Sequence, residues 1–391
     1  MSLIGQPVTV LGGGIGGLAA ARALALRGAQ VRVLEQATEI AEVGAGLQIS
    51  PNGIAVLRAL GLEEPIIASA PRGEAVQLRD YRGAAVLRMD LPRGDARGYY
   101  LMHRADLIDI LAQGARDAGV QIELNAKVTE VSLKPTTLHF EDGHTERPAL
   151  LIGADGLNSV LRSALNGSEK PFFTGQVAWR AIVRTDLAQE PVATVYMGPG
   201  CHLVTYPLRD RRLMNIVAVQ ERNEWAAEGW TNEDDPANLR AAFREFAPNV
   251  QALLSRVESV KIWGLFRHPV ASRWHTDDAA IVGDAAHPTL PFMAQGANMA
   301  LEDAWVLADA LAGADDIPSG LTAYQARRQL RASKVIAAAN ANARNYHLSF
   351  PPLRVIAHAV LRASAKLAPQ MALKRFDWIY QEDVTTGETS L

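Results

Sequence analysis

The feature that most constrains the fold is a cluster of glycines between an apolar strand and a helix. Residues 8–11 form a short, partly β-branched run that stops at the glycine cluster at 12–17, as a buried parallel strand does. Residues 15–27 then have an alanine-rich helical composition, and residues 31–34 form a second apolar run that ends at Glu35. A strand, a helix and a strand within about 30 residues predict a βαβ unit, and therefore an α/β fold around a parallel sheet.

The glycines follow the pattern G-x-G-x-x-G at Gly12, Gly14 and Gly17. In a strand-to-helix turn, the first glycine permits a tight turn, the second lets a pyrophosphate approach the backbone, and the third lets helix and strand pack closely. The helix N-terminus adds N–H donors and a partial positive charge, and Glu35 is placed to accept hydrogen bonds from ribose hydroxyls. The pattern predicts dinucleotide binding. The alternative is a structural glycine turn, with Glu35 as a surface charge.

The rest of the chain divides into two kinds of segment. A helix is predicted over 106–119, and short strands, two of them running into glycines, are predicted at 128–133, 137–140, 150–152 and 280–282. Alternating polarity predicts the strands of an antiparallel sheet at 176–183, 202–207 and 213–219, and two short segments at 76–78 and 85–87 flank a turn at Arg82-Gly83. All five are assigned to a second, sheet-based domain. Helical composition predominates from about residue 315, and the polar residues 385–391 are expected to fray.

The predicted fold class is α/β, with a Rossmann-like dinucleotide-binding domain, an inserted β-sheet domain and C-terminal helices. A chain of 391 residues is too long for one ordinary core, so two domains are expected. We expect the first domain to be discontinuous, over 1–72, 100–170 and 268–350. The substrate-binding β-sheet domain would take 73–99 and 171–267, and residues 351–391 would form a C-terminal helical segment.

Composition excludes several classes of partner. The net charge is −3 and the sequence has no large basic block, so no nucleic acid is expected as a partner. A single cysteine, Cys201, rules out an intramolecular disulfide, and no metal site is expected. No apolar run reaches the length of a bilayer span. We therefore expect a cytoplasmic protein without membrane partners, as a monomer or a homodimer.

Two further motifs each follow a predicted buried strand. The first is Gly153-Ala154-Asp155-Gly156, followed by Asn158-Ser159 and Arg162. The second is Gly283-Asp284-Ala285-Ala286-His287-Pro288, which continues through Pro291, Gln295-Gly296 and Asn298 to Glu302-Asp303-Ala304. With the glycine fingerprint, these motifs resemble in order and spacing the three signatures of the single-component FAD-dependent aromatic hydroxylases, the family of para-hydroxybenzoate hydroxylase. The likeness runs across nearly the whole chain.

This resemblance implies an FAD-dependent NAD(P)H aromatic monooxygenase. Such an enzyme binds FAD non-covalently, takes a hydride from NADH or NADPH as co-substrate, and uses O2 to hydroxylate a small aromatic substrate through a flavin hydroperoxide. Two alternatives remain open: an epoxidase or other oxygenase of a non-aromatic substrate, and a non-catalytic FAD-binding redox sensor. The Trp-x-Trp-x-Ile-Pro signature of the flavin halogenases is absent from the sequence.

The resemblance also assigns cofactor roles. Asp284 would hydrogen-bond the ribityl or ribose region of FAD, Arg104 would meet the pyrophosphate region, and Asp155 would orient a neighbouring loop. A helix cap for Asp284 and a surface position for Arg104 are the alternatives, and His287 is expected to be structural. The N–H groups at the start of the helix predicted over 298–311 could face the anionic end of reduced flavin. The expected cofactor set is Gly12, Gly14, Gly17, Glu35, Arg104, Val128, Asp155, Gly283, Asp284, Gly296, Ala297 and Asn298.

The closer likeness is to the subgroup of salicylate hydroxylase, 3-hydroxybenzoate 6-hydroxylase and 6-hydroxynicotinate monooxygenase. It is carried by the segments 44–52, 202–207, 263–265 and 291–298. It implies a phenolic or hydroxypyridine substrate that carries a carboxylate.

Three residues are expected to act on this substrate: His202, Tyr206 and Pro291. On a strand, His202 and Tyr206 point to one face. A histidine there could deprotonate a phenol, and a tyrosine could orient it. The alternatives are a core histidine and a packing tyrosine. Pro291 begins the segment that leads into the helix expected at the flavin.

Arg180 and Cys201 have two interpretations each. Arg180 could pair with a substrate carboxylate, or could be a solvated strand residue. Cys201 adjoins His202 in sequence, but adjacent strand residues face opposite sides of a sheet, so no Cys–His pair is expected.

Overall fold

The computed structural model describes residues 2–40, 45–92, 97–222, 232–367 and 374–387, with 342–345 and 364–367 described by their backbone. Parts of some predicted segments lie outside the described residues: Gly44 of the 44–52 motif, 93–96 and 223–231 of the predicted β-sheet domain, and 368–373 and 388–391 of the C-terminal segment.

The chain alternates strands and helices in its first half and ends in helices. In chain order the strands are β1 (Pro7–Leu11), β2 (Gln30–Leu34), β3 (Gly46–Ile49), β4 (Ala75–Asp80), β5 (Ala85–Asp90), β6 (Tyr100–His103), β7 (Gln121–Glu123), β8 (Val128–Ser132), β9 (Thr137–Phe140), β10 (Thr145–Glu146), β11 (Leu151–Gly153), β12 (Phe172–Arg184), β13 (Val192–Gly198), β14 (Cys201–Leu208), β15 (Leu213–Glu221), β16 (Glu233–Asp234), β17 (Val260–Arg267) and β18 (Ala279–Ile281). The helices are α1 (Ile15–Ala25), α2 (Pro51–Ala59), α3 (Glu63–Ser69), α4 (Arg104–Asp117), α5 (Val160–Asn166), α6 (Pro236–Ala242), α7 (Pro248–Leu254), α8 (Gly296–Gly313), α9 (Ile317–Tyr346), α10 (Pro351–Leu367) and α11 (Asp377–Tyr380).

A five-stranded parallel sheet carries the three sequence motifs. Its strand order is β18-β11-β1-β2-β7, and every neighbouring pair runs parallel. The glycine fingerprint follows β1, the Asp-Gly motif follows β11 and the Gly-Asp motif follows β18, and these three strands are adjacent. Because ligands of open α/β sheets bind outside the carboxyl ends of the strands, the topology gathers the three motifs at one edge. The Rossmann-like fold is confirmed.

An eight-stranded sheet forms the second layer, in the order β16-β17-β12-β15-β14-β13-β4-β5. The strands expected to be antiparallel, β12, β14 and β15, are so, whereas β4 and β13 run parallel. Much of the parallel-sheet region lies between these two strands in the chain, so no hairpin fixes their relative direction. Strand β13 was not expected from the sequence. All seven of its residues are buried, so it lacks the alternation that identifies a strand with one exposed face.

Two small sheets and the helices complete the fold. Strands β8, β9 and β10 form one small sheet, and β3 pairs with β6 in another. Helix α8 packs against α1, α2 and α9, and the largest apolar core lies among these helices and the parallel sheet. A second core lies between the eight-stranded sheet and helices α6 and α7. The domain boundaries expected from the sequence stay a prediction. None of the helices within the described residues is long and apolar enough to cross a bilayer.

Candidate active site

A large cavity lies between the carboxyl edge of the parallel sheet and one face of the eight-stranded sheet. Its volume is about 1060 Å³, at the upper end of the range for small-molecule sites. One wall is built from the three sequence motifs, through Gly14, Ala154, Asp284 and neighbouring residues. The opposite wall includes His202, Val204 and Tyr206 of β14 and Arg180 of β12. We call these the motif wall and the sheet wall.

The glycine fingerprint is built from positions that tolerate no side chain and one that faces open space. Gly12 has φ +106°, and a Cβ there would collide with the carbonyl oxygen of Ala154. A Cβ on Gly17 would collide with the carbonyl oxygen of Gly12, so this glycine allows helix and strand to pack closely. Gly14 lines the cavity, and a Cβ there would meet nothing within 4 Å. The space in front of Gly14 is therefore available to a ligand.

Glu35 is held at the end of β2 by backbone donors. Its Oε2 accepts from the Gly13 N–H at 2.6 Å and its Oε1 from the Ala37 N–H at 2.9 Å. Each carboxylate oxygen can accept a second hydrogen bond. The carboxylate is thus fixed beside the glycine loop, and its expected contact with a ribose hydroxyl stays a prediction.

The Asp-Gly motif is ordered by its own carboxylate. Asp155 Oδ2 accepts from the Val160 N–H at 2.8 Å, which ties the loop to the start of α5. Burial raises the pKa of Asp155. Its neighbours Ala154 and Gly156 line the cavity. The side chain therefore holds the loop at the start of α5, and its expected role beside the cofactor stays a prediction.

Arg162 joins the second motif to the third. Its guanidinium is buried and donates to the carbonyl oxygens of Ala285 and Ala286 at 3.0 and 3.1 Å. It also pairs with Glu169 at 2.5 Å. The two loops on the motif wall are therefore held together by a cation whose donors go to the protein itself.

Asp284 lines the cavity, and its expected hydrogen bond to FAD stays a prediction. Its side chain is accessible through the cavity and is otherwise enclosed by protein. This enclosure raises the pKa of Asp284, against the opposing charges of His287 and Arg104. Arg104, the first residue of α4, also lines the cavity. Asp284 and Arg104 therefore both line the cavity on the motif wall, where one polar ligand could contact both side chains.

A buried ion network beneath this wall fixes the Gly-Asp turn. Asp303 accepts from the Gly283 N–H at 2.9 Å, from His287 Nε2 at 2.5 Å and from Arg328 Nε at 2.7 Å. Burial would raise the pKa of Asp303, but His287 and Arg328 hold it at about 2. His287 is 1% exposed and does not line the cavity, which supports its structural interpretation. The position of Asp284 is therefore set by a charged network rather than by the loop alone.

The network extends to the segment before α2. Glu302 pairs with Arg328 and Arg331 at 2.6 and 2.7 Å and accepts from Asn52 Nδ2 at 2.6 Å. Asn52 Nδ2 also donates to Gln295 Oε1 at 3.0 Å. Burial would raise the pKa of Glu302, but the two arginines hold it at about 2. The subgroup motifs at 44–52 and 291–298 therefore meet in the folded chain.

The segment leading into α8 turns at the cavity. Pro291, Gly296 and Ala297 line it, and Ala294 takes the left-handed conformation with φ +53°. The first N–H groups of a helix have no partner within the helix, so this N-terminus suits an anion. The Asn298 side chain is used elsewhere, because it accepts from Ser50 N–H at 3.1 Å and donates to the Gln48 carbonyl at 3.0 Å.

Not every expected cofactor residue reaches the cavity. Six residues of the expected cofactor set do not line the cavity: Gly12, Gly17, Glu35, Val128, Asp155 and Asn298. Most of these shape the motif wall from behind. Val128 pairs with Phe140 at the start of β8 and packs against the core of the parallel sheet. Its contact with a cofactor stays a prediction that this position does not favour.

The motif wall fits FAD. The open space before Gly14 would take the pyrophosphate, with Arg104 nearby, and Asp284 would receive a ribose or ribityl hydroxyl. Gly296 and Ala297 would place helix N–H groups at the pyrimidine end of the flavin. The volume of about 1060 Å³ leaves room for a small second ligand against the sheet wall.

His202 is the titratable group at the centre of the sheet wall. It lines the cavity together with Val204 and Tyr206, as the alternation of β14 predicts. Its ring lies 5.8 Å from that of Phe292, next to Pro291. Nδ1 of His202 lies 2.6 Å from Nε2 of His347, so Nε2 is the nitrogen left for a substrate. Burial, then the neighbouring His347, lower the pKa of His202 well below its ordinary value, so the ring is neutral and is a weaker proton acceptor than an exposed imidazole.

Tyr206 is better suited to donate a hydrogen bond than to act as a base. It is 3% exposed, and burial raises its pKa to about 12. Its hydroxyl interacts with Gln48 and Asn215, and Asn215 Oδ1 accepts from the Gly46 N–H at 2.7 Å. The hydroxyl is therefore protonated and held in place from the β3 side.

The structure places Arg180 and Cys201 on opposite faces of the eight-stranded sheet. Arg180 lines the cavity, with its guanidinium 5.1 Å from the centre of the Trp263 ring. Cys201 is buried in the core on the opposite face of the sheet, and burial raises its pKa to about 11. Cys201 and His202 therefore face opposite sides of the sheet.

Two residues that contact side chains of the sheet wall received no role from the sequence: His347, beside His202, and Gln48, beside Tyr206. His347 follows α9, 145 residues from His202 in the chain. No local pattern marks it, since it stands alone after a long helix. Gln48 lay within the subgroup motif at 44–52 but received no role of its own.

Comparisons with known proteins agree with this geometry. A family described as an FAD binding domain matches residues 6–339. A 3-amino-4-hydroxybenzoate 2-monooxygenase of Streptomyces platensis is 34% identical over 389 residues, covering 95% of each chain. A 3-hydroxybenzoate 6-hydroxylase of Polaromonas naphthalenivorans is 34% identical, covering 87% of this chain and 88% of that protein.

The solved structures include a substrate complex of salicylate hydroxylase. It is 26% identical, superposes with a TM-score of 0.80, and is matched over 98% of this chain and 97% of that one. The resemblance inferred from the three motifs is confirmed, and so is FAD as the cofactor. The chain belongs to the family of FAD-dependent aromatic monooxygenases that carry this FAD binding domain.

Proposed function

We propose that the protein uses NADH or NADPH and O2 to hydroxylate a small aromatic ring bearing an ionisable hydroxyl and a carboxylate. When bound, FAD supplies the redox chemistry, from the hydride of the nicotinamide to the oxygen atom transferred to the ring. The relatives named for aminohydroxybenzoate and hydroxybenzoate support a substrate of this class.

The observation that carries the proposal is the position of His202 opposite the motif wall. A phenolate is a stronger nucleophile than a phenol, so a base beside the ring accelerates attack on the oxygen donor. His202 presents Nε2 to the cavity from a strand fixed on both sides by β13 and β15. General base catalysis of this kind contributes about 10²–10⁴ in rate.

Two other side chains of the sheet wall would position the ring. Arg180 would pair with the carboxylate, since a guanidinium can bind a carboxylate through two parallel hydrogen bonds. Tyr206 would donate a hydrogen bond to the substrate oxygen. Pro291 and the turn behind it would close the flavin side of the site and exclude water.

The test is a substrate panel with matched pairs. Hydroxybenzoates and hydroxypyridine carboxylates are each compared with the methoxy analogue, which cannot ionise, and with the analogue lacking the carboxylate. We expect NAD(P)H oxidation with a product one oxygen heavier for the hydroxy acids. The methoxy analogues should stimulate oxidation without product.

Three results would contradict the proposal. Product from an alkene but from no aromatic would indicate an epoxidase. Flavin that is never reduced faster with any panel member would favour a redox sensor. Equal product yields from hydroxy and methoxy analogues would show that ring ionisation is not needed.

A further inference from the structure

Three side chains form a line from the cavity to the protein surface. His202 Nδ1 lies 2.6 Å from His347 Nε2, and His347 Nδ1 lies 2.9 Å from Glu221 Oε1. The His202 residue and the His347 side chain are each about 2% exposed, whereas the Glu221 side chain is 50% exposed. The line therefore begins at the substrate position and ends in water.

Three separate elements build this line. His202 is on β14, Glu221 is the last residue of β15, and His347 immediately follows α9. The backbone holds the ends in register, because the Glu221 N–H donates to the Gly200 carbonyl at 2.8 Å and the Gly200 N–H donates to the His347 carbonyl at 3.3 Å. The alignment is thus a feature of the folded chain, supported by backbone contacts at its outer end.

The carboxylate fixes the direction of every hydrogen bond in the line. An ionised Glu221 can only accept, so His347 must carry its proton on Nδ1. His347 Nε2 then carries a lone pair, and it accepts a hydrogen bond from the Nδ1–H of His202. A neutral His202 with its proton on Nδ1 has a lone pair on Nε2, the nitrogen left for the substrate. A carboxylate orienting a catalytic imidazole through its other nitrogen is a recurring arrangement.

We propose that His347 and Glu221 form a relay that sets the tautomer of His202 and carries the substrate's hydroxyl proton to solvent. The inference rests on the proposed role of His202 as the base. The substrate O–H bond breaks as its proton joins His202 Nε2. The Nδ1 proton of His202 passes to His347 Nε2, and the Nδ1 proton of His347 passes to Glu221 and water. One proton enters the line, one leaves it, and the substrate keeps the electron pair as a phenolate.

The surroundings favour movement of the proton outward. Burial disfavours a cation on His202, and the nearby Tyr346 and Phe292 rings offer no counter-charge. Burial also lowers the pKa of His347, but Glu221 opposes that shift. His347 additionally caps the C-terminal end of α9, where the helix dipole favours positive charge.

Other groups near the line do not compete for the proton at neutral pH. Burial raises the pKa of Tyr346 to about 12 and that of the Cys201 thiol to about 11. Gln176 Nε2 lies 3.3 Å from His347 Nδ1. When Nδ1 carries a proton, this amide takes the flipped orientation, in which its oxygen accepts from the Nδ1–H. Arg354 and Glu245 act on Cys201 from the surrounding surface.

The test compares Glu221→Gln with Glu245→Gln. Both remove one carboxylate from the same region, and Glu245 has no contact with His347 among the described hydrogen bonds. We expect Glu221→Gln to keep its FAD and its rate of flavin reduction by NAD(P)H. Hydroxylation at neutral pH should fall about 10- to 100-fold, as for other residues that orient a catalytic ligand from behind. The loss should diminish at alkaline pH, where hydroxide ionises the substrate, and Glu245→Gln should follow the wild type.

A second variant, His347→Gln, breaks the same line one step closer to the cavity, and its pH profile should match that of Glu221→Gln. Wild-type hydroxylation and pH profile in both flavin-loaded variants would overturn the relay. The failure of the relay is distinct from that of the proposed function. If only the relay is wrong, His202→Ala will still consume NAD(P)H without hydroxylating the substrate. If His202→Ala hydroxylates as efficiently per NAD(P)H as the wild type, His202 is not the base and the proposed function fails as well.

Discussion

The two walls of the cavity are specified in different ways. On the motif wall the path of the backbone determines the space for a ligand: Gly12 and Gly17 have no room for a Cβ, and the space in front of Gly14 is open to a ligand. On the sheet wall the side chains determine the chemistry of the surface, because His202 and Tyr206 lie on one face of β14. The motif wall is a binding surface for a large, constant cofactor. The sheet wall is the surface that we propose contacts the substrate.

This difference predicts that the two walls can be damaged separately. A substitution on the motif wall should lower the amount of bound flavin, and activity should fall in proportion to flavin content. A change on the sheet wall should leave flavin in place and alter what the reduced flavin does. The substitutions below test that separation in order of expected effect.

Gly14→Val should abolish FAD binding and all activity. Gly14 has φ −79° and open space around its missing Cβ, so valine suits the backbone but fills the position meant for the pyrophosphate. The purified protein is incubated with FAD, its flavin content is measured, and its circular dichroism spectrum shows whether the fold is kept. Gly313→Val is the control, since Gly313 also has open space but does not line the cavity. A soluble Gly14→Val protein with full flavin would break the account of the motif wall.

Asp284→Ala should weaken FAD binding by roughly 10- to 100-fold, since a hydrogen bond to a charged group is worth about 1.5–3 kcal/mol. The Asp303 network holds the turn from behind, so the fold should survive. Titration of the apoprotein with FAD gives the dissociation constant. The constant of Asp284→Asn should lie between those of the wild type and Asp284→Ala. An unchanged constant in the alanine variant would reassign Asp284 to capping.

Tyr206→Phe should have the smallest effect, about 2- to 10-fold in KM, because one hydrogen bond between neutral groups contributes roughly 0.5–1.5 kcal/mol. Flavin content should not change. Burial keeps the hydroxyl protonated, with a pKa of about 12, so no shift of the pH profile near neutrality is expected. Tyr196→Phe is the control on β13, where the hydroxyl accepts from Asn249 at 2.7 Å away from the cavity. A 100-fold loss of kcat would make Tyr206 part of the chemistry.

The same contrast explains how much could be predicted from the sequence. The βαβ unit, the adjacent motif loops and the FAD family were accessible because each rests on a local pattern. Helix α4 was expected two residues late, since Arg104 itself begins it. Strand β13 was missed because both of its faces are buried.

The sheet wall was only partly accessible. Alternation placed His202 and Tyr206 on one face, but nothing local could bring His347 or Glu221 to His202, since those contacts close across long stretches of chain. The ion pairs of Asp303 with His287 and Arg328 likewise depend on the packing of α8 against α9. Contacts of this kind follow from the tertiary fold and leave no periodic signal.

The central claim is that the motif wall holds the flavin while His202 on the sheet wall activates the ring. It is tested most directly by the ratio of hydroxylated product to NAD(P)H consumed in His202→Ala, measured against pH on flavin-loaded protein. The account predicts wild-type flavin content and reduction, a fall of about 10²–10⁴ in hydroxylation at neutral pH, hydrogen peroxide in its place, and partial recovery at alkaline pH. A His202→Ala protein that stays well coupled at neutral pH would contradict it.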